Sequence, residues 1–132
     1  MKIEVSNGEI IDRYTILEIK MHNLSGKDDT KLTNVRKEYE TLTPKVDKIF
    51  ASCKDKEGLE NLYVDLYNIN QTLWNIEDQI RDCESEEIFG SDFIELARSV
   101  YFTNDERSIV KKELNLITGS ELVEEKAYKE YK

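Results

Sequence analysis

The sequence predicts an all-α protein, an antiparallel helical bundle in which helices two and three form a long hairpin and two shorter helices follow. Three observations carry that expectation. Leu59, Leu62, Leu66, Ile69, Leu73, Ile76 and Ile80 repeat at 3-4-3-4-3-4 spacing, an apolar stripe that other helices must cover. Helix-start signatures recur, as at Ser6 with Glu9 and Thr103 with Glu106. One proline and five glycines leave little scope for a turn-rich β architecture.

The first boundary is the firmest. Ser6 and Glu9 make a capping box, with Val5 and Ile10 at the flanking staple positions. Residues 2–5 read as short and extended. Helix one runs to about Leu24, where Ser25-Gly26 ends it and Lys27-Asp28-Asp29 makes a polar loop. Ile10, Tyr14, Leu17, Met21 and Leu24 form one stripe, while Ile11, Ile16 and Ile19 fall on other faces. A helix apolar on several sides is buried on several sides, so it is central to the fold or lies in an oligomer interface.

Helix two starts near Asp29 or Thr30 with the stripe Leu32, Val35, Tyr39, Leu42, Val46 and Ile49. Pro44 interrupts it, but the stripe keeps its phase, which favours one kinked helix over two. Helix three covers about Leu59 to Glu84. Tyr63, Tyr67 and Trp74 widen its apolar arc, so it packs on at least two neighbours. The acidic segment from Ser85 to Asp92 is a loop. A shorter helix from Asp92 to Phe102 and a last one from Thr103 to Gly119 complete a single domain over residues 1–119. Residues 120–132 form a tail expected to dock through Leu122, Val123, Tyr128 and Tyr131.

Composition narrows the function classes. The 132 residues are 39% hydrophobic and 36% charged, with net charge −9, so general nucleic-acid binding is disfavoured. The start has no apolar leader and no run is long enough to span a membrane, which points to the cytoplasm and to reduced Cys53 and Cys83. His22 is the single histidine and no metal-ligand spacing exists, so no metal or cofactor is expected. The glycines are isolated, and no phosphate cradle or catalytic triad is visible.

One polar constellation stands out. Arg81, Arg98 and Arg107 could converge on a carboxylate or phosphate, with Trp74, Tyr101 and Asn104 completing a pocket. Intrahelical pairing of Arg81 with Glu77 and Asp78 is the plainer reading of the first of these.

Five stretches, Ser6 to Lys20, Asn34 to Glu40, Leu73 to Arg81, Glu95 to Arg107 and Gly119 to Lys126, together resemble an uncharacterised family of short helical proteins of bacteria and marine phages. The resemblance covers nearly the whole chain. It implies a stand-alone helical domain and brings no activity or site residue. In architecture the chain is also similar to the all-helical chorismate mutases. Asp105-Glu-Arg107 and the stretch from Ile76 to Arg81 resemble pieces of their pattern, but the basic residues differ in order and spacing.

The expectation is a helical binding or assembly module, a homodimer or a partner-docking protein, working through apolar surface on helix one and the aromatic side of helix three. The alternative is a small enzyme or metabolite binder with an arginine-lined pocket for an anionic ligand.

Overall fold

The structure, a computed structural model, describes residues 1–131. Four helices follow in order: α1 (Asn7–Leu24), α2 (Asp29–Ser52), α3 (Lys56–Ser85) and α4 (Ser91–Thr118). No strand occurs among the described residues, and none of their helices is long and apolar enough to cross a membrane.

Local chemistry sets most of the boundaries. The Ser6 hydroxyl accepts the Glu9 N–H at 3.1 Å and starts α1. The other half of the capping box is not made, because the Glu9 carboxylate reaches across to Lys111 instead. Val5 stays exposed, and Ile10 packs on the core. Asp28 caps α2 through the Lys31 N–H and Asp55 caps α3 through the Gly58 N–H. That second cap begins α3 three residues before the expected Leu59. Helix α2 runs unbroken through Pro44. Gly119 ends α4 at φ +66, a left-handed conformation that costs glycine little.

Helix α1 is the centre of the molecule. It packs on α2, α3 and α4, which accounts for its apolar residues on several faces. Ile11, Leu17 and Ile19 are at most 2% exposed. Ile11, Ile49, Cys53, Leu59, Leu66 and Leu114 form the main core cluster, drawn from all four helices and the α2–α3 connection. The α3 stripe faces inward, with Leu59, Leu66 and Ile76 buried and the rest half-buried.

The helix pairing differs from the sequence expectation. The most extensive contacts are α1 with α2 and α3 with α4, rather than a hairpin of helices two and three. Tyr14 stacks on Tyr39 at 4.2 Å and Arg13 pairs with Glu38 across the first pair. Along the second, Gly58 lies against Ile117 at one end, and Cys83 and Asp92 line one cleft at the other. The many-sided α1 takes the α2 stripe for itself. The Lys56 ammonium meanwhile binds the carbonyls of Phe50, Ala51 and Cys53, capping the end of α2 where the chain passes into α3.

A second correction concerns the C-terminal half. The two shorter helices expected there are one helix of 28 residues. Thr103 and Glu106 offer a local start signal, but no glycine or proline stands nearby to break the helix. Continuity places Asn104, Arg107 and Lys111 on one face, where they meet each other and α1.

Gly8 permits that meeting. A Cβ at this position would lie 2.6 Å from the Lys111 carbonyl oxygen and 2.8 Å from Asn115 Oδ1. Gly8→Ala should therefore push α1 and α4 apart and cost about 1–3 kcal/mol, the usual price of overpacking. Urea unfolding checks this; an unchanged midpoint would show that the approach is not tight.

Candidate functional site

A buried polar cluster joins α1, α3 and α4. Asp12 is 1% exposed and accepts two hydrogen bonds from Arg107, from Nε at 2.9 Å and from Nη2 at 2.5 Å. Asn70 donates to Asp12 and to Thr15, both at 2.9 Å, and Thr15 donates back to the Asp12 carbonyl. Hydrogen bonding to Asp12 raises the Arg107 pKa above its ordinary value, with burial opposing it. Lys111 adds a second bridge, 2.6 Å from Glu9 and 3.9 Å from Asp12. Among the described residues no buried side-chain nitrogen or oxygen lacks a partner.

The cluster continues toward the C-terminal segment. The Gly8 N–H donates to Asn115 Oδ1 at 2.6 Å, and Asn115 donates to Glu124 at 3.3 Å. The Ser6 hydroxyl donates to Glu124 at 2.6 Å, and the Asn7 N–H donates to Ser120 Oγ at 3.0 Å. Burial works against ionisation of Glu124. Hydrogen bonds from Ser6 and Asn115 and the nearby Lys111 charge outweigh it and hold its pKa below 4.5.

Beyond this junction, residues 124–131 run beside α4 and enclose a groove of about 1110 Å³. Its helix wall runs from Val100 to Asn115, about 22 Å at 1.5 Å per residue. That wall carries Arg107, Lys111 and Lys112 against Asp105, a net of 3 − 1 = +2. The facing segment carries Glu124, Glu125 and Glu130 against Lys126 and Lys129, a net of 2 − 3 = −1. The lining is thus net +1 in a chain of net −9.

The segment is held mostly by polar contacts. Lys112 pairs with Glu125 at 2.7 Å and Lys126 with Asp105 at 2.8 Å. The Tyr131 hydroxyl donates to Asp105, which pushes its pKa up to about 12, and its ring meets Tyr101 and Phe102 edge-on. Of the four apolar residues expected to dock it, Tyr131 makes ring contacts while staying 47% exposed, and Leu122, Val123 and Tyr128 are exposed as well. Lys132 lies outside the described residues.

The six residues singled out from sequence divide. Tyr101, Asn104 and Arg107 line the groove, and Asn104 lies 3.4 Å from Arg107. Arg81 pairs with Glu77 on an exposed face of α3. The exposed Arg98 sits over the Phe102 ring at 5.8 Å, and Trp74 is half-buried on α3. The sequence reading missed Asp12, Thr15, Asn70, Asn115 and Glu124. Two of these carried a signal. Asn70 lies between Leu66 and Leu73 on the inward stripe, and Asp12 stands beside Ile11 on the most apolar helix.

Arg107→Met leaves Asp12 buried with Lys111 as its nearest charge and should destabilise by about 3–5 kcal/mol. Adding Asp12→Asn should recover part of that loss, and the coupling is measurable by a double-mutant cycle in urea. Glu124 predicts a pH dependence. Its pKa is depressed on folding, so its stabilisation is present above about pH 4.5 and fades as pH falls through the folded value. The melting-temperature gap between wild type and Glu124→Gln should favour wild type at pH 7 and close in acid.

No curated relative and no solved structure matches the chain. A family model described as a family of unknown function, DUF6165, matches residues 1–131, and the chain belongs to that family.

Proposed function

We propose that the chain is a partner-docking module, with its docking site in the groove between α4 and residues 124–131. Residues 1–119 serve as one helical scaffold of antiparallel neighbours. The observation that carries the reading is the groove itself: long, lined by apolar as well as charged side chains, edged by Tyr101 and Ile109, and already bordered by a stretch of chain without helix or strand.

The groove supports a peptide better than a small anion. Its volume exceeds the usual ~300–1,000 Å³ of small-molecule sites. The charges that would grip an anion are in use, Arg107 on Asp12 and Lys111 on Glu9. Helix one and Tyr63 of helix three are engaged internally. Helix one is central, and Tyr63 packs on Phe50 and donates to Glu18. Helix α4 leaves three large apolar side chains open, Ile94, Ile109 and Leu116, each more than half exposed, against Val64 alone on α3. A homodimer would use that same face. The free thiols of Cys53 and Cys83 fit work in the cytoplasm.

The test is a display library of twelve-residue peptides selected on the full-length protein. Binders should be lost with Ile109→Arg, an exposed position, and kept with Arg81→Ala on the far helix. Binding that weakens as protein concentration rises would identify a second copy as the competing occupant. A library with no binder, or binders indifferent to Ile109→Arg, would overturn the reading.

A further inference from the structure

The C-terminal segment has two halves of different character. Up to Glu124 it is fixed in the junction with Ser6, Asn7 and Asn115, where Ser6 and Asn115 are at most 1% exposed. From Glu125 onward its ion pairs, with Lys112 and Asp105, lie near the surface. The Glu125 side chain is 70% exposed, that of Lys126 is 37% exposed, and Tyr128 is 82% exposed. Ion pairs as open as these add little to stability.

We propose that Glu125 to Tyr131 is a displaceable self-ligand, and that the groove's partner is an extended peptide of the same chemistry: an acidic residue followed six positions later by a tyrosine. The inference rests on the docking reading above. Charge supports it at one point: Arg107 and Lys111 are held by Asp12 and Glu9, whereas the Lys112 ammonium pairs across the groove with Glu125 at 2.7 Å. Geometry supports it as well. From Lys112, which holds Glu125, to Tyr101, which meets Tyr131, α4 rises about 16 Å. Six extended residues reach about 20 Å, enough to put the acid on the lysine and the ring on Tyr101 and Phe102.

A tethered segment competes at a high effective concentration, so a free peptide should bind wild type weakly. The probe is a fluorescein-labelled peptide of residues 120–131, followed by anisotropy on full-length protein. Glu125→Ala/Lys126→Ala/Tyr131→Ala removes the distal contacts without touching the core, which circular dichroism verifies. The peptide should bind this variant at least ten-fold more tightly than wild type. Adding Lys112→Glu should reverse that gain, and a peptide carrying Glu125→Lys should restore it. Equal or absent binding to wild type and the triple variant, or indifference to Lys112→Glu, would overturn the proposal. If library peptides bind through Ile109 while this peptide does not, the groove remains a docking site and the self-ligand fails alone. If neither binds, both fail.

Discussion

The ion pair between Asp12 and Arg107 is the constraint on which the arrangement of helices depends. A carboxylate at 1% exposure must be compensated, and the nearby groups do so completely: the guanidinium takes both oxygens and Asn70 adds a further donor. Apolar contacts tolerate sliding, because one leucine replaces another at modest cost. A bidentate pair does not. Shifting α4 by one turn, about 5.4 Å, would strand a buried charge, at a cost of several kcal/mol. The pair therefore sets the register of α4 against α1, and through Asn70 that of α3. Gly8 and Lys111 meet at the same register, so the closest backbone approach and the charge pairing enforce one another.

That internal use of charge decides what the surface can do. Arg107 and Lys111 are the cations best placed to hold an anion, and each already faces a carboxylate. Arg81 and Arg98 lie outside the groove, one on Glu77 and the other over Phe102. What remains on the helix wall is Lys112 and Asp105, one charge of each sign and seven residues apart. Two opposite charges set apart beside tyrosine and isoleucine edges suit a chain laid along the helix, as the pairs of Lys112 with Glu125 and of Asp105 with Lys126 illustrate. They offer a compact anion no converging donors.

Local chemistry was readable in the sequence and distant chemistry was not. The Ser6 cap acts within three residues, and the α3 stripe within one heptad, so both declare themselves. Asp12 and Arg107 are 95 positions apart, and Asn70 is 58 from Asp12. Nothing near Arg107 distinguishes it from the solvated arginines around it. The Thr103 signal misled for the complementary reason: a capping box describes what a short peptide prefers, and the tertiary pairing of Arg107 favours a helix that continues. A polar residue on an otherwise apolar face was the usable clue, since Asp12 and Asn70 both stand on such faces. A buried polar residue there needs a partner, even when the sequence cannot say which.

The C-terminal segment and the start of the fold share one atom. Ser6 Oγ accepts the Glu9 N–H that begins α1 and donates to the Glu124 carboxylate that anchors the C-terminal segment. A hydroxyl has one donor and two acceptor sites, so it makes both bonds without conflict. Asn115 matches it from the other side, accepting from Gly8 and donating to Glu124. The proximal end of the segment is thereby tied to both the first turn of α1 and the last turn of α4. Gly119 in its left-handed conformation supplies the reversal that sends the chain back along α4. Folding alone thus fixes where the segment starts and which way it points. Surface pairs decide whether its far end stays, and that division lets a stable scaffold carry an exchangeable strip of chain.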